Sequence, residues 1–238
     1  MSLLRARLLL VPLLLAAASL AAGQGTRDWF ERDPEAAAYA GIRSRVEVLS
    51  LRAKGEGVPE SLLLRRLVEG AAKRAEPERL LLALSEETER LVALKTALGG
   101  RGLLPRDPAK AEGILAEGSV ILRAGVGLPL LLSAVDASLG GGAGPDASAA
   151  RAYAALGAAI SVNARFPLGE AAFRALALAL AGSSLPEGRF GAFVAVFARG
   201  RASGLAADRI AEISVAVLDA GGSLDRVEKE LERRMRKP

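Results

Sequence analysis

Apolar residues recur at helical spacing along most of this chain. The segment that begins at Glu60 carries apolar residues three and four positions apart, and Arg65, Arg66 and Lys73 fall on the other side. An α-helix has 3.6 residues per turn, so this spacing places the apolar residues on one face. The segment therefore predicts an amphipathic helix whose buried positions are Leu63, Leu64, Leu67, Val68 and Ala71.

The same pattern predicts helices elsewhere in the chain. A second helix should start at Pro77, because proline fits the first turn, and should end at Gly99 and Gly100. Its apolar stripe is Leu80, Leu84, Leu91, Leu94 and Leu98, and Glu86 and Arg90 form an acid-first pair on the opposite face. Further amphipathic segments begin at Phe190, Asp208 and Leu224, and no segment alternates as a strand does. We therefore predict an all-α fold of stacked short antiparallel helices.

Glycine and proline turns divide these helices at regular intervals. The turns Gly127-Leu128-Pro129, Phe166-Pro167-Leu168 and Gly204-Leu205-Ala206 lie 39 and 38 residues apart, and Gly57-Val58-Pro59 precedes the first of them by 70. Helix-turn-helix units of about 35 to 39 residues are typical of helical solenoids. Side-chain identity between the units is poor, however. The spacing leaves two architectures open, an irregular α-solenoid of helical hairpins or an irregular bundle.

The N-terminus has the layout of a secretory signal. Arg5 and Arg7 precede an apolar run from Leu8 to Leu20, and small residues follow up to Gly23. The run covers about 13 residues, whereas a helix that spans a bilayer needs roughly 20. We expect a signal peptide at 1–23, an N-terminal extension at 24–33 and a single all-helical domain at 34–238. The expected location is the periplasm or the medium; an uncleaved membrane anchor is the alternative.

Composition narrows the chemistry available to the chain. It contains no cysteine, so in an oxidising compartment it must fold by packing alone. Without Arg5 and Arg7 the net charge falls from +5 to +3, which is close to balance. Nucleic acid is therefore not an expected partner, because phosphate binding needs a concentrated basic face. The chain has few side chains that could form a polar ligand pocket, because Gln24 and Asn163 are its only amide side chains.

The sequence predicts no catalytic, cofactor-binding or metal-binding residues. Histidine is absent along with cysteine, which removes the commonest general base, nucleophile and transition-metal ligands. The chain has no GxxxxGK[ST] loop. Its glycine cluster from Gly140 to Pro145 lacks the preceding strand of a dinucleotide-binding motif, so we interpret it as a flexible connection. We therefore expect a protein that is not an enzyme.

Carboxylate chemistry is the one catalytic option that remains. Glu60-Ser61 at a helix start resembles the Glu-Ser pair of lytic transglycosylases, although the other elements of that family's pattern are absent. The alternative is an acid near the positive end of a helix dipole. Asp136, which follows the apolar run Leu130-Leu131-Leu132, is the acid we expect to be partly buried, with a shifted pKa. A carboxylate-dependent hydrolase is thus our third functional hypothesis.

One short stretch carries a family resemblance. The residues from Glu69 to Leu80, with the pattern EGxAKxxxPERL, resemble a stretch found in uncharacterised exported bacterial proteins made of short helices. The resemblance covers about 40 residues and implies an exported helical protein, without an activity or a cofactor. Physically, the stretch predicts a helix end, a turn at Glu76-Pro77 and a new helix, with Glu69 and Lys73 as an ion pair.

Three features are candidate partner-binding residues. Trp29 and Phe30 follow the predicted cleavage site and could bind a partner or cap the first helix pair. Arg233, Arg234, Arg236 and Lys237 form a basic C-terminal run that could contact an anionic membrane, although Glu230 can pair with Arg234. The stripe of Phe190, Phe193 and Phe197 could form a groove for a helix, but such stripes are usually core.

These observations predict an exported, non-enzymatic helical protein of the bacterial envelope that has an interaction or structural role. Its expected partner is a protein or peptide, because stacked helices present extended surfaces for such ligands. The alternative is a membrane-associated envelope accessory protein held by its N-terminus or its basic C-terminal helix.

Overall fold

The computed structural model describes residues 25–235, and within that range it is entirely helical, with no strand. The all-α prediction is therefore confirmed, whereas a regular solenoid stays a prediction. The predicted signal peptide, Arg236 and Lys237 lie outside the described residues. The α-helices are α1 (Thr26–Arg32), α2 (Arg43–Gly55), α3 (Glu60–Ala72), α4 (Pro77–Gly99), α5 (Pro108–Arg123), α6 (Leu128–Gly140), α7 (Pro145–Asn163), α8 (Glu170–Gly182), α9 (Phe193–Ala202), α10 (Ala207–Asp219) and α11 (Leu224–Met235), and the 3-10 helices are Pro34–Ile42 and Glu187–Ala192.

The helices belong to two compact units whose boundary falls between Thr96 and Ala97, close to the end of α4. We call them the N-terminal unit and the C-terminal unit and describe each separately. The prediction of a single domain from residue 34 onward stays a prediction.

The N-terminal unit is built around a core to which its helices and its 3-10 helix contribute. The buried residues include Trp29, Tyr39, Ile42, Val46, Leu64, Leu67, Leu80 and Leu84. The hydroxyl of Tyr39 donates a hydrogen bond of 3.0 Å to the carbonyl of Ala75 in the turn between α3 and α4. Gly70 faces Leu80 so closely that a Cβ at Gly70 would overlap that leucine, which explains the glycine in the EGxAKxxxPERL stretch.

In the C-terminal unit α8 packs against α6, α7 and α10. It is rich in alanine and ends in a glycine, and small residues let helices approach closely. A Cβ added to Gly141, just after α6, would lie 2.5 Å from the carbonyl oxygen of Gly182. The cluster from Gly140 to Pro145 thus connects α6 to α7, and Gly141 packs at this close approach.

Polar side chains cap the first turns of α5 and α4. Asp107 accepts hydrogen bonds from the backbone of Ala109 at 2.9 Å and Lys110 at 3.3 Å, and Glu76 does the same for the first turn of α4. Three of the four predicted turn markers fall between helices, and in the fourth Gly127 precedes α6, whose first turn contains Leu128 and Pro129. The segment at Phe190 differs from the prediction: a 3-10 helix runs to Ala192, and the α-helix starts only at Phe193.

Candidate functional site

The N-terminal unit carries an open apolar groove between α2 and α4. We call it the α2–α4 groove; its volume is about 560 Å³ and it is lined by Ser44, Arg45, Val48, Leu49, Glu78, Leu81, Leu82 and Ser85. Leu49 and Leu81 are partly buried and pack on the core beneath it. Val48 is 63% exposed and Leu82 61%, and Leu51, three residues after Val48, is 70% exposed. The groove therefore presents apolar side chains to solvent.

The groove exists because each of its helices carries apolar side chains outside its core-facing stripe. Leu84 is buried, and Leu82 lies about 200° away around α4 because successive residues advance by about 100°. On α2 the core side is formed by Val46 and Ala53, and Val48 points away from it. A helix that packs one face on the core cannot bury the opposite face there. These outward side chains thus have no place in the core of their own unit.

Two ion pairs join the rims of the groove. Arg45 on α2 binds Glu78 on α4 through two contacts of 2.5 and 2.9 Å, and Arg52 binds Glu89 at 2.6 Å. The hydrogen bonds from Arg45 lower the pKa of the Glu78 carboxyl below its usual value, and Glu78 in turn raises the pKa of Arg45. In both pairs the base lies on α2 and the acid on α4.

The structure places Trp29 and Phe30 at the N-terminal end of the same unit. Trp29 is buried, with its ring 4.9 Å from Phe30 in an edge-on arrangement and 6.1 Å from Tyr39. Phe30 is half-buried, and the guanidinium of Arg43 lies 5.9 Å from its ring centre. These contacts support the packing alternative for this pair. Its role in partner binding stays a prediction.

Arg233 and Arg234 lie in the last helix, where both bind Glu230. Arg233 reaches Glu230 at 2.7 and 2.8 Å, and Arg234 reaches it at 2.9 Å. These hydrogen bonds lower the pKa of Glu230 to about 2. The predicted pair of Glu230 with Arg234 is therefore confirmed. Part of the positive charge is neutralised within the helix, and the role of the basic run in partner binding stays a prediction.

The two candidate acids occupy structural positions. The expectation that Asp136 is partly buried is wrong: its side chain is 57% exposed and lies 3.7 Å from Arg101. The core face of α6 carries Leu131, Ala134, Val135 and Ser138, and Asp136 is on the other side.

Glu60, the first residue of α3, accepts hydrogen bonds of 2.8 Å from both the amide and the hydroxyl of Thr26. Burial raises the pKa of Glu60, but the hydrogen bonds from Thr26 and Ser50 together outweigh this effect, so the pKa lies below its usual value. Glu60 thus ties α1 to α3.

Other kinds of site are not evident in residues 25–235. No group of three or more acidic side chains is arranged to hold a metal ion there. None of the helices in this range is both long and apolar enough to cross a bilayer.

No protein-family model, curated protein or solved structure matches the chain. The resemblance of the EGxAKxxxPERL stretch to exported helical proteins therefore stays a prediction.

The α2–α4 groove was missed by the sequence analysis, although a signal was present. Leu80, Leu81 and Leu82 are consecutive, and three consecutive residues on a helix cannot all face one core. The stripe assigned to α4 used only Leu80 from this run. Val48 and Leu51 give a similar signal on α2, but which side of that helix faces solvent depends on where its neighbours pack.

Proposed function

We propose that this chain is an exported, non-enzymatic helical protein of the bacterial envelope that binds a protein through its α2–α4 groove. The observation that carries this proposal is the set of outward apolar side chains at Val48, Leu51 and Leu82. A contiguous exposed apolar surface rimmed by polar groups is typical of protein-binding sites. Isolated apolar residues need no explanation, but here Val48 and Leu82 line one groove together with the ion pair of Arg45 and Glu78, and the exposed Leu51 is three residues from Val48.

The groove has the features of a helix-binding or protein-binding surface rather than of a metabolite pocket. It is open, its floor is leucine, and its polar groups sit at the rims. Small-molecule sites enclose most of their ligand and place a few convergent polar groups inside. Protein interfaces instead combine an apolar centre with a polar border.

The N-terminal sequence supports export. Arg5 and Arg7, the apolar run from Leu8 and the small residues up to Gly23 predict cleavage close to Gln24. Intact-mass measurement of protein from the envelope fraction should give an N-terminus between Ala22 and Thr26. A full-length mass in the membrane fraction would contradict cleavage and favour the anchored alternative.

Site-specific photo-crosslinking tests the binding function. The photoreactive residue p-benzoylphenylalanine is placed at Leu82, and a matched variant carries it at Val120 on α5, which is also exposed, at 52%. Cells producing each variant are irradiated, and adducts are identified by mass spectrometry. We expect a discrete adduct from Leu82 that Val120 does not give. Equal labelling at both positions, or no adduct at Leu82, would contradict binding through the groove.

A further inference from the structure

The charges along the α2–α4 groove are segregated by helix. The bases that reach across the groove, Arg45 and Arg52, both lie on α2, and their acids, Glu78 and Glu89, both lie on α4. Residue numbers rise from the first pair to the second on both helices, so the helices run in the same direction along the groove. In both pairs that join the two helices, the base thus lies on α2 and the acid on α4.

This arrangement restricts the partner. A partner with one sign of charge would attract one member of each pair and repel the other, and like charges brought together across an interface oppose association. A fitting partner has an apolar centre between one acidic and one basic edge. The α2–α4 groove is itself a surface of this kind.

We infer that the partner is a second copy of this chain, packed face to face on the α2–α4 groove. This inference rests on the proposed function and names the partner. A rotation of 180° about an axis parallel to the groove places α2 of one copy over α4 of the other and preserves positions along the groove. Arg45 then meets Glu78 of the second copy, and Arg52 meets Glu89 of the second copy.

The same rotation joins the apolar side chains. Val48 on α2 faces Leu82 of the second copy, and the relation is repeated on the other side of the axis because the contact is isologous. Leu51 extends this apolar strip on the α2 side. Removal of these exposed side chains from water drives the association, and the four charged residues of each copy fix the register.

Only two helices of each copy form the proposed contact, so we expect a weak dimer. Interfaces below about 1,200 Å² of total buried area belong to transient complexes. Sedimentation velocity of the full chain from about 1 to about 200 μM spans the range expected for such contacts and should show a shift from one chain to two.

Charge reversal with mixing is the decisive test. Arg45→Glu places an acid against Glu78 of the second copy, and Glu78→Arg places a base against Arg45 of the second copy. Each variant alone should self-associate at least about tenfold more weakly than the unmodified protein. In an equimolar mixture, both cross-contacts become complementary, so a heterodimer should form with nearly the original affinity.

A matched control is available in the C-terminal unit. Arg209 binds Glu212 at 2.6 Å, and the two side chains are 49% and 60% exposed, against 49% and 61% for Arg45 and Glu78. Arg209→Glu should leave self-association unchanged. Thermal melting of each variant verifies folding, and Leu82→Asp, which alters no charged pair, should also abolish the dimer.

The outcomes separate this inference from the proposed function. Monomers at every concentration, together with a Leu82 crosslink to a different protein, would overturn self-association and leave the binding function in place. Monomers with no Leu82 crosslink would overturn both. A dimer that persists in Leu82→Asp, or single variants that fail to recover on mixing, would show that the copies do not meet in this way.

Discussion

Two sets of apolar residues in this protein have similar spacing in the sequence, but one set is buried in the structure and the other is exposed. Phe190, Phe193 and Phe197 in the C-terminal unit are fully buried, and Phe197 stacks on Phe166 with ring centres 6.2 Å apart. Val48, Leu51 and Leu82 in the N-terminal unit are mostly exposed. Both sets recur along helices, yet one is core and the other forms a surface.

The difference lies in how many apolar faces each helix carries. Phe190 lies in the 3-10 helix, and Phe193 and Phe197 lie on α9, which packs against α7, α10 and that 3-10 helix, so all three rings are buried. The helix α4 already buries Leu84 and Leu91 on one side, so Leu82 is left outside. A stripe opposite an already buried one is therefore a better indicator of a binding surface than an aromatic stripe.

The largest expected effect is on the phenylalanine side of this comparison. Phe193→Ala should destabilise the protein by about 3 to 5 kcal/mol, the usual cost of cutting a buried phenylalanine to alanine. For a chain of this size that corresponds to a loss of roughly 6 to 20 °C in Tm. Circular dichroism melting measures it. An unchanged Tm together with loss of partner binding would show instead that the stripe is a recognition surface.

Alanine substitutions of Leu84 and Leu82 test the same difference between a buried and an exposed residue within one helix. Leu84→Ala should cost about 2 to 5 kcal/mol, because Leu84 is 1% exposed and its removal leaves a cavity. Leu82→Ala should change stability by less than about 0.5 kcal/mol, since its side chain faces solvent. Denaturant unfolding of the two variants gives both values. Similar losses from both substitutions would mean that Leu82 is covered within the chain and that no free groove exists.

Substitution of Arg151 tests how much its contacts stabilise the region around Phe190. Its guanidinium donates to the carbonyls of Ala181 at 2.9 Å and Leu185 at 3.0 Å and lies 5.0 Å from the ring centre of Phe190. Arg151→Ala should cost about 2 kcal/mol, since charged donors to a helix C-terminus are lost along with the ring contact. Arg151→Lys should restore little of this, because an ammonium cannot reproduce the planar fork.

The control for Arg151 is Arg199→Ala. Arg199 is exposed and pairs with Glu228, and such surface pairs contribute about 0 to 1 kcal/mol. Equal losses in Tm from the alanine variants of Arg151 and Arg199 would contradict a special role for Arg151.

The smallest expected effect concerns a polar atom in the buried region. The Tyr153 hydroxyl is buried without a hydrogen-bond partner among the described residues, and burial raises its pKa. Tyr153→Phe should leave the free energy of unfolding unchanged or raise it by up to about 1 kcal/mol, because the cost of burying the hydroxyl disappears. Tyr39→Phe is the matched control and should lose about 1 kcal/mol, since its hydroxyl donates to Ala75. A clear loss from Tyr153→Phe would show that this hydroxyl is satisfied by a bound molecule.

The sequence by itself determined that the fold is helical, where four of the helices start and which leucines of α4 are buried. Apolar spacing, proline in first turns and glycine at ends are local properties, and they correctly placed α3, α4, α10 and α11. The ion pairs of Glu69 with Lys73 and of Glu86 with Arg90 were predictable for the same reason, because their geometry is fixed within one helix.

Tertiary structure alone decided which remaining residues form a surface. Asp136 and Leu82 each follow a run of leucines, and only the packing of neighbouring helices shows that both face outward. The pairs of Arg45 with Glu78 and Arg52 with Glu89 join residues 33 and 37 positions apart, so no local rule brings them together. The candidate site is a property of how α2 and α4 pack, because burial depends on neighbours that are distant along the chain.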